Sequence, residues 1–268
     1  LHYPLRRQRQ MCIRDRLKGT EKRDKYKVYG ELINTYGYNL EPGSKELTAL
    51  NYYTNEEITI PLDPTQTPGE NAQRYFAKYN KQKRTFEALT ELIQETADDI
   101  QYLESISNAL DIALNEADLA QIKEELMQSG YIRRKHTKKK VKLTSKPMHY
   151  ISSDGYDMYV GKNNLQNEEL TFSFANGNDW WFHAKGAPGS HVIVKSGGDE
   201  LPDQTFEEAG RLAAYYSKNR GADKVEIDYI QKKHVKKPNG AKPGFVVYYT
   251  NYSLVIDSDI SNIKNVQD

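Results

Sequence analysis

The sequence predicts an α+β chain in two parts: a long antiparallel-type coiled-coil arm with a small β-hairpin, then a mixed-sheet domain with one main helix. Apolar residues recur at 3-4 spacing from Tyr75 to Leu114, which is the seam of a coiled coil. Short alternating apolar runs bounded by Gly, Pro and Asn fill residues 150–250, as strands do. A mean hydropathy of -0.83 over 268 residues is too polar for one compact core and calls for an elongated element.

Residues 1–16 carry five arginines and show neither helical nor strand periodicity, so they are expected to be a non-native or disordered leader outside the fold. Tyr26, Tyr29, Leu32, Ile33 and Tyr36 share one helical face, and Gly37 and the Glu41-Pro42-Gly43 turn stop that helix. Residues 46–53 and 57–62 alternate around Thr54-Asn55-Glu56 as a hairpin, after which Pro61, Pro64 and Pro68 lead into a long helix from Glu70. Its seam comprises Tyr75, Tyr79, Phe86, Leu89, Ile93, Ile100, Leu103, Leu110 and Leu114, with Gln82, Thr96 and Ser107 as polar members. Such a seam needs an opposing helix, expected from a missing N-terminal part or a second molecule.

A basic linker at 131–148 separates the arm region, 17–130, from a domain at 149–268. In that domain strands are predicted at 150–152, 157–160, 170–174, 180–185, 192–195, 225–230 and 245–250. One helix is introduced by a Thr205/Glu208 capping box, buries Phe206, Ala209, Leu212, Ala213 and Tyr216, and ends before Gly221.

The net charge of +1 conceals strong segregation. Residues 85–129 hold eleven Asp and Glu against Lys123 alone; residues 131–149 hold eight Lys and Arg without an acid, and residues 229–256 five lysines without an acid. Blocks of this kind point to different partners for different segments. No run of about 18 apolar residues exists to span a membrane as a helix. The single cysteine, Cys12, excludes an intrachain disulfide framework and any Cys-based zinc site.

Function is sought at four clusters. The central one, residues 179–192, crowds Asp179, Trp181, His183, Lys185, Ser190 and His191 around a Gly-Ala-Pro-Gly turn, offering hydrogen-bond donors beside aromatic faces that could stack on bases. Lys162, Asn163 and Asn164 form a turn after a strand. Lys232, Lys233, Lys236, Lys237 and Lys242, spaced by Pro and Gly, form an extended basic loop suited to a phosphate backbone. The fourth cluster, Arg133-Arg134-Lys135-His136 with Lys138-Lys139-Lys140, says only that a partner is anionic. Asp179, His183 and His191 could in principle bind a divalent metal. Against catalysis stand the lack of a second carboxylate in the motif, of a Gly-x-Ser-x-Gly elbow and of a Walker loop. No catalytic residue, metal or cofactor is therefore assigned.

The runs Asp179-Trp180-Trp181-Phe182-His183, Pro188-Gly189-Ser190-His191-Val192, Gly161-Lys162-Asn163-Asn164, His234-Val235-Lys236-Lys237-Pro238 and Lys242-Pro243-Gly244 resemble the RNA-binding (NFACT-R) domain of the NFACT family. Ile60-Pro61-Leu62-Asp63-Pro64 with Asn71-Ala72 resembles that family's middle coiled-coil region. The resemblance implies a cytoplasmic ribosome quality-control factor that binds obstructed large ribosomal subunits and recruits alanyl-tRNA for C-terminal alanine tailing of stalled chains. It also implies a C-terminal fragment, because the family's N-terminal tRNA-recognition domain and first coiled-coil helix find no match. The acidic arm is expected to meet basic ribosomal protein, leaving rRNA or tRNA to the C-terminal domain. The rival readings are a cell-surface fibronectin-binding adhesin and a metal-dependent hydrolase acting on RNA.

Overall fold

The computed structural model describes residues 2–133 and 145–266, which pack as two compact units divided between Ile100 and Gln101. Of the fourth basic cluster, all but Arg133 lies outside the described residues.

In the first unit, helices α1 (His2–Lys18) and α2 (Asp24–Tyr36) run antiparallel to the first part of α3 (Pro68–Ile112). The contacts descend along α3 as the chain ascends. Arg6 pairs with Asp99, the Arg23 guanidinium lies 3.9 Å over the Phe86 ring, Gly30 abuts the Phe76 ring, and Tyr29 meets Tyr75 edge-on at 5.3 Å. This corrects two expectations. The first 16 residues are not an unstructured leader, and the helix opposing the seam is supplied by this chain. Residues 1–16 lack periodicity because α1 is seated largely by polar contacts, with Ile13 as its buried apolar residue; Leu, Arg, Gln and Met favour helix without making a stripe.

Strands β1 (Glu46–Asn51) and β2 (Glu56–Pro61) pair antiparallel from Glu46↔Pro61 to Asn51↔Glu56. They bury Leu47, Ala49 and Ile60 against Leu32 and Ile33 of α2 and Ala72 and Tyr75 of α3. The Tyr75 hydroxyl donates to the Pro61 carbonyl at 2.5 Å, and a Thr67/Glu70 capping box starts α3: Glu70 accepts from the Thr67 N–H at 2.8 Å, and Thr67 Oγ1 accepts from the Glu70 N–H at 3.3 Å.

The second unit takes in the end of α3. There the heptad series gives way: Tyr102, Ile106 and Ala109 are buried with Ile122 of α4 (Glu116–Gln128), while Leu110 and Leu114 are exposed. The buried stripe rotates because α3 now packs on a short neighbouring helix.

A seven-stranded sheet follows, with spatial order β8-β7-β5-β6-β4-β3-β9 and every pairing antiparallel, so the sheet is not mixed. Its strands are β3 (Met148–Ile151), β4 (Asp157–Val160), β5 (Trp180–Ala184), β6 (Val192–Val194), β7 (Val225–Gln231), β8 (Tyr252–Ile256) and β9 (Lys264–Asn265). Helix α6 (Asp203–Tyr215) covers one face through Ala209, Leu212 and Ala213 on Phe182, Val192 and Ile227. The other face buries Trp181, Ile193 and Ile230 beneath Leu170, Ala175 and Val235.

Three local expectations fail here. Leu170–Phe174 is not a strand but a π-helical turn continuing α5 (Asn164–Glu169), closed by the Ala175 N–H donating to the Leu170 carbonyl at 2.9 Å. Its alternating apolar pattern describes a strand equally well, and only the preceding helix decides. Residues 245–250 form an irregular strap held to Lys236 by a single bridge at Val247, and the edge strand lies further on, at β8. Thr205 and Glu208 do not cap α6. Both are buried, Thr205 bonding to Ser152 and Asp154 and Glu208 accepting from the Ser153 N–H.

Truncating Ile60 to Ala removes a fully buried side chain from the first unit's small core. The expected loss is about 2–5 kcal/mol, read from urea unfolding followed by far-UV circular dichroism.

Candidate nucleic-acid interface

The strand period sends Trp180, Phe182 and Ala184 of β5 under α6 and turns Trp181 and His183 to the opposite face. Gly186, at φ +63, reverses the chain after β5 in a backbone region that favours glycine. His183 then stands in register with Asp228 of β7. Its ring stacks on Trp181 (5.6 Å, 18°) and meets His191 edge-on (5.5 Å, 89°). A cavity of about 230 Å³ opens here, bordered by His183, His191, the 186–189 turn, Asn164, Asn167 and Tyr248.

Most of the motif is spent on its own support. His191 is buried; its Nδ1 lies 2.8 Å from Thr171 Oγ1, and its backbone N–H donates to Asn167 Oδ1 at 3.0 Å. Trp181 and Ser190 are sealed from solvent, and neither the indole N–H nor the Ser190 hydroxyl has a hydrogen-bond partner among the described residues. Asp179 does not face the histidines. It accepts from the N–H groups of Asn176 and Ser196 and pairs with Lys195. Burial pushes the His183 ring down to about 4 despite the pull of Asp228; burial, then the neighbouring His183, holds His191 well below the usual range. Both rings are neutral at pH 7. Among the described residues no three His, Cys, Asp or Glu side chains converge as metal ligands.

The turn at 162–164 is also a support rather than an open surface. Lys162 is buried, with its Nζ 3.1 and 3.3 Å from the two carboxylate oxygens of Asp118 on α4. Burial opposes ionisation of Asp118, but hydrogen bonds from Ser145, the Leu114 N–H and Lys162 outweigh it and lower its pKa. Asn163 caps α5 by accepting from the Gln166 N–H and donates to Gln121 at 2.8 Å. Asn164 donates to Ser105 and Glu125, each at 2.8 Å; burial raises the pKa of Glu125. A ligand therefore does not meet Lys162, Asn163, Asn164, Asp179, Trp181, Ser190 or His191 on an open surface.

What remains accessible is mostly lysine. Lys233 and Lys236 are exposed and Lys232 half-exposed. Lys237 pairs with Glu168 at 2.7 Å, Lys185 pairs with Glu226 at 2.5 Å, and the Lys242 ammonium lies 4.5 Å over the Tyr102 ring while donating to the Tyr131 hydroxyl. His183 is the partly open member of the aromatic group. The sequence reading missed Asn167 and Thr171, which orient His191, and Asp228, which accepts from the Tyr248 and Ser253 hydroxyls at 2.8 and 2.7 Å. A signal existed only for Asp228, an acid inside an apolar strand.

The sheet thus carries a helix on one face and, at the other, the lysine-rich loop 232–242. The comparisons name a family. Residues 6–145 match the family model for the NFACT N-terminal and middle domains, and residues 146–249 match the NFACT protein RNA binding domain. The chain is 42% identical over 252 residues to the Rqc2 homolog RqcH of Streptococcus pneumoniae and 40% identical over 254 residues to that of Bacillus subtilis. These matches cover 94% and 92% of this chain but 45% and 44% of the relatives, so the chain spans less than half their length. A solved structure of the C-terminal part of the fibronectin/fibrinogen-binding protein from Streptococcus suis superposes with a TM-score of 0.74 at 35% identity, covering 98% of this chain and 93% of that one. The chain belongs to the NFACT family. The boundary between the two family domains, at 145/146, falls in the basic linker, whereas packing divides the chain at 100/101.

Two outcomes are expected. A histidine whose folded pKa is depressed leaves the unfolded chain binding more protons, so stability is intact above the unfolded value of about 6.5 and declines as pH falls toward the folded one. Urea midpoints read by tryptophan fluorescence should drop between pH 7 and 5, above the usual carboxylate range, and less steeply in His191→Gln. Replacing Lys162 by Met strands the buried Asp118 carboxylate and should cost about 3–5 kcal/mol, measured the same way.

Proposed function

We propose that this chain is the RNA- and ribosome-contacting part of a ribosome quality-control factor. In this reading it helps hold obstructed large subunits and position alanyl-tRNA for C-terminal alanine tailing. The observation that carries the reading is the RNA-binding family domain at 146–249, within which Lys233 and Lys236 stand open to solvent and Lys232 is half-exposed. Their charge suits phosphate, and the absence of acids from 229–256 leaves that stretch unopposed in sequence. The acidic stretch of α3, with Glu87, Glu91, Glu95 and Asp98, suits basic protein rather than RNA, so ribosomal protein is its proposed partner. The α1/α2 pairing with α3 supports a coiled-coil arm. Binding rather than chemistry is the role proposed for His183, the partly open member of the pair, with His191 as its support; the ring is neutral and Asp179 is engaged elsewhere.

Replacing Lys232, Lys233 and Lys236 with Gln should weaken RNA binding for all sequences alike. Each lost phosphate contact lowers the slope of log affinity against log salt by roughly 0.7–0.9. Titration of fluorescent RNA between 50 and 200 mM salt reads this, with immobilised fibronectin as a parallel arm. An unchanged slope, or fibronectin binding without RNA binding, would overturn the reading.

A further inference from the structure

The rings best placed to stack on a base lie outside the motif that dominates the sequence. The π-helical turn projects Phe174, 41% exposed, beside Tyr159 of β4 (4.7 Å, 70°), and Tyr159 in turn stacks on His149 of β3 (4.5 Å, 2°). These three rings and Leu170 wall a cleft of about 320 Å³, with Lys146 and Glu169 on its border. That volume is at the lower end of the range for small-molecule sites, room for one flat heterocycle rather than a folded ligand. Cations flank the same turn. The Lys195 ammonium lies 4.8 Å over the Phe174 ring, and that of Lys232 lies 5.9 Å over Phe172. Lys233 is fastened to the loop by its N–H donating to the Gly177 carbonyl at 3.0 Å. Trp181, by contrast, is sealed and has no face to offer.

We propose that the His149–Tyr159–Phe174 cleft receives one unstacked base of single-stranded RNA, with Lys232 and Lys233 tracking the phosphates beside it. This deepens the RNA-binding reading and rests on it. Aromatic faces interleaved with lysines are how unpaired strands are held with little sequence preference, because every base offers a π-face and every nucleotide a phosphate. A duplex keeps its bases stacked and cannot fill the cleft. Lys195, paired with Asp179, contributes less net charge than Lys232 and Lys233 but pins the Phe174 ring.

The test is binding of the chain to a labelled oligouridine and to a duplex RNA of equal length. Phe174→Ala should weaken oligouridine binding roughly five- to a hundredfold, the loss of one stacked base, and leave duplex binding unchanged. Phe174→Tyr should restore it, and both variants should keep the wild-type melting curve because the ring is exposed. Equal loss for duplex and single strand overturns the cleft. So does wild-type binding by Phe174→Ala when Lys232→Gln/Lys233→Gln binds weakly, although RNA binding itself then stands. Failure of the wild-type chain to bind either RNA overturns both readings.

Discussion

The second unit depends on a buried set of polar contacts between α4 and the turn that follows β4. Asp118 meets Lys162, Gln121 meets Asn163 and Gln166, and Glu125 meets Asn164, all buried except Gln121. Charged groups removed from water are costly unless each is matched, so this set admits one seating of α4 far more strictly than apolar contact would. Once seated, Asn163 starts α5 and Asn167 on that helix holds His191 through its backbone N–H. The orientation of the central motif is inherited from a lysine and two asparagines that never meet the outside.

Gly161 shows how tight that inheritance is. A Cβ there would lie 3.0 Å from the Asn167 backbone nitrogen and closer still to its side-chain oxygen, so the chain can pass only as glycine. The Gly161 N–H also donates to the His191 carbonyl at 3.1 Å, tying the turn to β6 directly. The Gly-Lys-Asn-Asn run is therefore a joint, and its residue types are those a joint requires: no side chain, a buried cation, a cap and a two-way amide.

The His183/His191/Trp181 group follows the same logic. Desolvation, joined at His191 by the neighbouring His183, keeps both imidazoles neutral, which suits fixed donor-acceptor roles and removes the positive charge that a phosphate would seek. In the proposed reading, attraction for phosphate falls to the lysines of the 232–242 loop and stacking to the rings of the π-helical turn, so charge and aromatic surface come from different elements.

By itself the sequence determined the α2 helix, the β1/β2 pair, the long helix, and most of the sheet, because each has a local period or a turn that no other conformation satisfies. Residues 180–192 announced their importance through composition, and the lysines of 232–242 through charge. What only the tertiary structure decided was which side chains face out. Lys162, Asn163, Asn164 and Asp179 have the chemistry of ligand-binding residues, and their partners, Asp118, Gln121, Glu125 and Lys195, lie up to 44 residues away. Likewise α1 is seated by the Arg6–Asp99 pair, and Leu170–Phe174 is drawn into a π-helical turn by the helix before it. A polar residue reads the same whether it awaits a ligand or satisfies a buried neighbour; the difference is a long-range contact, which no local pattern encodes.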